Sequence, residues 1–395
     1  VNIYYEKYGC TLNQAETEHI VQGFMMNGNR IVERPEEADL IIIGTCVVIK
    51  HTENHMISRI RELYGKNKRL LIYGCLPASR GELLKDFRGI EVLTPRNFKP
   101  QNYSLPGFES YVSIPIAQGC TGHCTYCISK LARGNLKSYP KEFILERLKE
   151  AVKRGVKEIR LTALDTAAYG KDIGYDLPSL LNEIDEIEGD FMVRVGMMEP
   201  SNTLEILDDL IESFKSDRIF KFFHIPLQSG DDSILRSMGR EYTSNDFISI
   251  VERIRGEFSH YTLSTDVIVG FPGENDEAFE RTYDAVNKSK PDIINITRYS
   301  PREGTRAYGL KLVKSSLAKE WSKRLTDLHR KISEERNSLL LGEKMDVIVT
   351  EKGKSGFLGR TKGYRPVVID DAELNKHYMV EIVSTTPYYL IGKRL

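Results

Sequence analysis

Six cysteines fall into two groups whose spacing could do chemistry. Cys120, Cys124 and Cys127 share one short stretch, Gln118-Gly119-Cys120-Thr121-Gly122-His123-Cys124-Thr125-Tyr126-Cys127, while Cys10, Cys46 and Cys75 are spread over the first hundred residues. A Cys-x3-Cys-x2-Cys run can hold three irons of a [4Fe–4S] cluster and leave the fourth without a protein ligand, open to a small molecule. Zinc in a structural role would need a fourth ligand. His123 is the candidate, but it sits between two cysteines, where the chain would have to fold back sharply. An even cysteine count is also compatible with three disulfides. Nothing in the chain looks secreted, however, and large cytosolic chains keep their thiols reduced.

The first three thiols need a frame. Residues 2–8 read as a strand, 12–27 as an amphipathic helix with Ile20, Val21, Phe24 and Met25 on its apolar face, and 38–44 as a buried parallel strand. A polar helix over 51–64 and a second buried strand over 69–74 complete the βαβ signature of a doubly wound parallel sheet. Cys10, Cys46 and Cys75 each fall just past a strand end, with Gly9, Gly44 and Gly74 close before them. Open α/β sheets bind ligands in the crevice at the carboxyl ends of their strands. One shared ligand set is therefore expected, with three unrelated core cysteines as the alternative.

A turn-rich linker, Phe98-Lys99-Pro100-Gln101-Asn102 and Pro106-Gly107, precedes a longer βα beat. Strands are expected at 111–118, 158–164, 191–197, 220–226, 262–270 and 292–298, a partial (β/α)6 barrel with its site over the C-terminal strand ends. His224, Gln228, Asp165 and Asp266 fall at such ends, although His224 could equally be a satisfied core histidine. Residues 315–340 read as one long amphipathic helix. Short strands at 345–350, 365–369 and 378–383 suggest a small C-terminal β-barrel. The domains are read as 1–105, 106–336 and 337–395.

The composition, 41% hydrophobic and 28% charged, is that of an ordinary globular protein. Lys+Arg and Asp+Glu balance at 56 each, so any nucleic-acid partner must be argued from local charge. No stretch approaches the roughly 18–20 apolar residues of a membrane span. The opening Val1-Asn2-Ile3-Tyr4-Tyr5 lacks the layout of a signal peptide, so the cytoplasm is the expected address.

The cluster spacing, with Tyr126 before the last thiol, resembles the signature of the radical S-adenosylmethionine (SAM) superfamily. The chain as a whole is similar to the radical SAM methylthiotransferases. The blocks that carry the likeness are Ala132-Arg133-Gly134-Asn135-Leu136, His224-Ile225-Pro226-Leu227-Gln228-Ser229-Gly230, Met238-Gly239-Arg240, Asp266 to Glu274 and Tyr299 to Thr305. The resemblance implies a three-cysteine N-terminal domain, a radical SAM barrel and a C-terminal RNA-binding barrel called TRAM. It implies that SAM on the open iron is cleaved to a 5′-deoxyadenosyl radical, with Tyr126, Asp165, Gln228, Val269 and Gly270 as SAM-binding positions. It also gives Cys10, Cys46 and Cys75 an auxiliary [4Fe–4S] cluster. Two SAM molecules per turnover are implied, one methylating sulfur on that cluster and one supplying the radical, together with an electron donor and a sulfur source. The chemistry is consistent: no side-chain acid or base readily breaks the C2–H bond of adenine, and the carbon radical needs sulfur within reach.

Within the family, Lys130 stands where the isopentenyladenosine branch usually has proline. The stretches 130–140 and 161–170 look like the archaeal and eukaryotic N6-threonylcarbamoyladenosine (t6A) branch, with Leu164 and Ala167 departing from its pattern. The expected reaction is methylthiolation of C2 of t6A at tRNA position 37. The alternatives are isopentenyladenosine-37, a ribosomal-protein aspartate, or a non-enzymatic iron–sulfur or zinc RNA-binding protein. Because t6A carries a carboxylate, Lys130, Arg133 and Arg302 are candidate contacts, each with a surface charge or structural ion pair as its alternative. Lys352, Lys354, Arg360, Lys362 and Arg365, interleaved with Phe357 and Tyr364, suit an anticodon loop whose bases stack while its phosphates are neutralised. The bland alternative is a solvated loop.

Overall fold

The computed structural model describes residues 1–100, 110–353 and 356–395. In the N-terminal unit, β1 (Asn2–Lys7), β2 (Arg30–Ile31), β3 (Leu40–Thr45), β4 (Arg69–Gly74) and β5 (Glu91–Leu93) form one parallel sheet in the order β2-β1-β3-β4-β5. Alternate residues of β3 feed two cores: Ile41 and Ile43 pack with Met56, Ile60 and Leu63 of α2 (Lys50–Tyr64), while Leu40 and Ile42 face α1 (Thr11–Met26). Burial on both faces is why these strands read as continuous apolar runs. The short edge strands β2 and β5 carry no such run and are not apparent in the sequence.

The apolar face expected for α1 is not the one most deeply buried. Ile20, Phe24 and Met25 are only half-buried, whereas the polar Asn13, Glu16, Thr17, His19 and Gln22 are buried. The physical reason is that α1 is sandwiched, lying on its own sheet and against the first strand of the next unit.

That unit contains all six expected strands: β6 (Tyr111–Pro115), then a small antiparallel pair β7 (Ala117–Gln118) and β8 (Lys137–Ser138), then β9 (Glu158–Thr162), β10 (Met192–Val195), β11 (Phe222–His224), β12 (Thr262–Val269) and β13 (Ile293–Arg298). Parallel pairing runs β6-β9-β10 and β11-β12-β13, and single bridges Val193–Ile219 and Met197–His224 join the two sheets into a half-barrel. Val193, Val195, Ile159, Leu161 and Phe223 face the helix-packed core, which leaves the alternate residues on the concave side. The long helix Ser315–Ser338 follows, burying Trp321, Leu325, Leu328 and Ile332.

The C-terminal module is a closed barrel of five strands, β14 (Lys344–Gly353), β15 (Gly356–Thr361), β16 (Pro366–Ile369), β17 (His377–Thr385) and β18 (Leu390–Arg394). Three were expected; β15 and β18, interrupted by Gly359 and Gly392, lack the apolar run that marks the others. Tyr364 and Ile348 of this module pack with Met192, Phe220 and Phe222, closing the N-terminal end of the half-barrel. Among the described residues, no helix is long and apolar enough to cross a membrane. The expected boundary near 105 lies outside the described residues.

Candidate active site

Because β1, β3 and β4 are parallel neighbours, the loops after them emerge side by side, and these loops carry Cys10, Cys46 and Cys75. Two of the preceding glycines are required by geometry. Gly9 has φ +94°, and a Cβ there would lie 2.8 Å from the Cys46 Cβ; Gly74 has φ +111°, and a Cβ there would lie 2.6 Å from the Thr45 carbonyl oxygen. Burial raises the Cys46 thiol pKa, and the charge of Cys10 adds to this. Cys75 is pushed up to about 12, first by burial and then by Cys10 and Cys46, against the opposing charge of Arg133.

The second set sits on the loop between β7 and α3 (Ile128–Arg133). Gly119, at φ +66°, lies so close to the returning chain that a Cβ would come within 1.9 Å of the Asn135 carbonyl oxygen. The Gly122 amide donates to the Cys120 sulfur at 3.2 Å. Thr125 anchors the loop, its amide bonded to the Met238 carbonyl at 2.8 Å and its hydroxyl to that of Ser237 at 2.9 Å. Cys120 is pushed up to about 12 by burial and by the charges of Asp165, Cys124 and Cys127. Burial also raises Cys124, with Arg240 opposing. His123, the tempting zinc ligand, is exposed.

Thiols held this high ligate as thiolates only when a strong positive centre displaces their protons, as iron does. Among the described residues, no three Cys, His, Asp or Glu side chains close to the spacing that grips a single ion. A cubane takes each thiolate on a different iron, so its ligands stand apart. In donor type, three free thiols each, both trios are suited to a cluster of that kind.

Around the second trio stand the positions expected to bind SAM. Tyr126 is half-buried; its hydroxyl accepts a 2.6 Å bond from Arg240, and its ring meets Phe271 edge-on. Buried Asp165 accepts bonds from the Glu199 amide at 2.9 Å and the Asn202 side chain at 2.6 Å, and burial pushes it up to about 6. Gln228 is held at φ +62°, a costly left-handed conformation, with its buried amide oxygen unpartnered among the described residues. Val269 ends β12, and Gly270, at φ +75°, donates its amide to Glu274, which burial pushes up to about 7. Beside these lies a cavity of about 500 Å³ lined by Ile49, Gly270, Arg298, Tyr299 and Ala318. Ile49, Arg298 and Tyr299 also line a smaller one next to Tyr126 and Cys127. Ile49 follows Cys46 by three residues, so the two thiol loops flank this space.

Several positions have roles that spacing did not reveal. Arg240 lies next to Tyr126, Cys124 and, at 3.6 Å, Glu199; its Met-Gly-Arg block was visible, but its partners were not. Glu199 and Asn202 carried no signal at all. Two of the three cations considered for the substrate carboxylate are held in buried ion pairs. Arg133 is fully buried and ion-paired to Glu16 at 2.8 Å, bonding also to Gln118 and Asn13. Arg302 pairs with buried Glu53, and Lys130 donates to the Cys120 carbonyl.

The basic C-terminal stretch is corrected in the same way. Arg365 is buried against Asp292, Arg360 reaches Glu351 at 3.3 Å, and Lys362 pairs with Asp217 at 2.7 Å. Tyr364 is buried, its hydroxyl bonded to Glu158 at 2.6 Å. This turn is used to dock the small barrel onto the half-barrel. Of the five, Lys352 and Lys362 are exposed, and Lys354 lies outside the described residues.

Residues 114–286 match the radical SAM superfamily, and residues 2–94 match the uncharacterized protein family UPF0004. A Pyrococcus horikoshii protein, "Probable threonylcarbamoyladenosine tRNA methylthiotransferase", is 38% identical over 100% of this chain and 99% of its own length. The similarly named protein of Methanocaldococcus jannaschii is 39% identical over 100% and 97%. The human "Threonylcarbamoyladenosine tRNA methylthiotransferase" is 31% identical over 99% of this chain and 73% of its own. The chain belongs to the radical SAM methylthiotransferases. Family membership brings SAM and a [4Fe–4S] cluster with it, and makes the chain a transferase. The fold is that of other radical SAM enzymes. The methyltransferase TsrM from Kitasatospora setae superposes with a TM-score of 0.56 at 12% identity, over 75% of this chain and 72% of that one. For this methylthiotransferase, Cys120, Cys124 and Cys127 lie inside the radical SAM match, and Cys10, Cys46 and Cys75 inside the other.

Proposed function

We propose that this chain methylthiolates C2 of N6-threonylcarbamoyladenosine at position 37 of tRNA, using two [4Fe–4S] clusters and two SAM molecules per turnover. The observation that carries the reading is the pair of thiol trios on loops that flank one cavity. The names of the full-length relatives support the substrate. Cys120, Cys124 and Cys127 would hold the cluster that binds SAM, and Cys10, Cys46 and Cys75 the auxiliary one. When bound, SAM at the open iron supplies a hydrogen-abstracting radical, and the auxiliary cluster supplies methylated sulfur. The chain's own residues exclude water and orient: Tyr126, Asp165, Gln228, Val269 and Gly270 form the SAM-side wall, and Arg240 offers a buried cation beside it. The domains are 1–105, 106–336 and 337–395, the last holding the tRNA. A separate electron donor and a sulfur source complete the reaction.

The test is anaerobic incubation of reconstituted protein with SAM, reductant and t6A-bearing tRNA, read by nucleoside mass spectrometry. A gain of one methylthio group is expected, abolished by Cys124→Ala. Iron should be about eight per chain, falling to about four when either trio is replaced by alanine. Product on isopentenylated tRNA alone would overturn the substrate, and a total near four irons in the wild type would overturn the second cluster.

A further inference from the structure

On the concave face of the half-barrel stands a cation, Arg194, with no hydrogen-bond or ion-pair partner among the described residues. Val193 and Val195 point into the helix-packed core, so Arg194 between them points the other way. Its guanidinium lies 4.4 Å from the centre of the Phe222 ring and 5.4 Å from that of Tyr364. Those π faces fix its position but use none of its five N–H donors. Among the described residues, Arg194 makes no hydrogen bond or ion pair, and its Nε is buried and unsatisfied. Its neighbours do not neutralise it. Arg160 is taken by Glu158 at 2.6 Å and Glu351 at 3.2 Å, and Arg360 by the same Glu351 at 3.3 Å. Three guanidinium groups thus face two carboxylates, one positive charge in excess. Burial, and then the charges of Arg160 and Arg360, press the Arg194 pKa downward, against Tyr364 and Glu158. An unpaired cation in such a place is costly unless something absent from the chain meets it.

Arg194 stands midway along β10, on the concave side of the half-barrel and toward the N-terminal side of the strand-end loops. Strand residues rise roughly 3.3 Å each, so Arg194 lies roughly 10 Å before Met197, where the loop to Glu199 begins. On the same face, Phe222 leads to His224, whose Nε2 is 3.0 Å from Asp266, which in turn accepts a bond from Asn295 at 2.7 Å. A nucleoside whose C2 sat under the strand-end loops would extend its N6 substituent down this polar track.

We propose that Arg194 is the anion subsite of the substrate pocket, taking an oxyanion of the target nucleotide in the lumen of the half-barrel. The proposal rests on the tRNA reading above and deepens it. Two parts of such a nucleotide offer that chemistry: the carboxylate of a threonylcarbamoyl arm, and a phosphate. The carboxylate is the bidentate partner a guanidinium fork matches best.

The test compares wild type, Arg194→Gln and Arg194→Lys as reconstituted full-length protein. Anticodon stem-loops carry t6A, its neutral carboxamide counterpart or plain adenosine at position 37. Dissociation constants come from fluorescence anisotropy and kcat/KM from product mass spectrometry, with iron content and melting temperature as controls on folding. Loss of the charge-assisted contact should weaken t6A binding about 10- to 100-fold in Arg194→Gln. Arg194→Lys, retaining charge, should recover part of it. Loss confined to the t6A stem-loop identifies the carboxylate; equal loss on all three identifies a phosphate. Wild-type affinity and kcat/KM in a folded, iron-loaded Arg194→Gln on every stem-loop would overturn the subsite. If wild type ignores t6A but modifies another nucleoside, the substrate reading fails by itself, and the subsite is judged by the KM of Arg194→Gln on that RNA.

Discussion

Arg302→Met tests whether the two halves of the active site are held together by a buried ion pair. Glu53 sits in the first turn of α2, just beyond the Cys46 loop, and Arg302 lies in the turn after β13, 249 residues away in sequence. Their side chains are 1% and 3% exposed. Burial alone would raise the Glu53 pKa, but Lys50 and Arg302 outweigh it and hold the carboxyl below its ordinary value. Deleting one partner of a buried pair costs about 3–5 kcal/mol, because the other charge is stranded. Here Lys50, 54% exposed, still reaches Glu53, so the expected cost is nearer 2–3 kcal/mol. At 1.4 kcal/mol per tenfold, that corresponds to a roughly 30- to 150-fold smaller equilibrium constant for docking the Cys46 loop on the barrel. Methylthio product should fall, by up to that factor, under single-turnover conditions, while the iron content of each trio is retained. Glu53→Gln/Arg302→Met, which strands no charge, should recover much of the loss. If the double variant is worse than either single one by their full sum, the two residues do not act as a pair and the docking argument is wrong.

Two further outcomes follow from particular groups. Glu274 is raised from 4.5 to about 7 by burial, so the folded state holds its proton more tightly than the unfolded chain. Wild-type stability should therefore decline as pH rises from about 4.5 to about 7 on this account, and Glu274→Gln should flatten that part of the curve in denaturant titrations. An identical slope in both proteins would count against it. Arg365→Ala should lower the melting temperature by a few degrees, since it removes one of the two guanidinium groups on buried Asp292 and leaves Arg336 of the long helix as the other, whereas Lys352→Ala should leave melting unchanged and reduce the salt slope of tRNA binding by about one. The opposite pattern would return Arg365 to the RNA surface.

The strands of the sheet and half-barrel were legible because each is a short apolar run between turn residues, and the thiols because their spacing is itself chemistry. Edge strands such as Arg30–Ile31 were not, since an edge exposes its side chains and needs no apolar pattern. The cations were misread for one reason: a sequence shows that Arg133, Arg302 and Arg365 are charged, but not that Glu16, Glu53 and Asp292, all distant in the chain, neutralise them. Arg194 was passed over because it sits inside an apolar strand, where its lack of a partner emerges only in three dimensions. One clue in α1 was available. Asn13, Glu16 and Thr17 recur at helical spacing, a polar stripe that a simple two-layer packing would leave in solvent.

That stripe explains how two thiol trios carried by different units can be kept in register. Glu16 receives Arg133 at 2.8 Å and the Tyr73 hydroxyl at 2.6 Å, and Arg133 continues to Gln118 at 3.0 Å. Tyr73 precedes Cys75 by two residues, and Gln118 precedes Cys120 by two, so a single guanidinium–carboxylate pair sits two residues from a thiol of each trio. An apolar interface could be as stable, but apolar surfaces slide at little cost, and a one-ångström shift matters to a radical that must meet both substrate and sulfur. A buried pair with fixed hydrogen-bond directions penalises such shifts. Replacing Glu16 and Arg133 together by Gln and Met should therefore spare melting temperature more than it spares product. A variant that loses stability but transfers methylthio groups at the wild-type rate would show that register is set elsewhere.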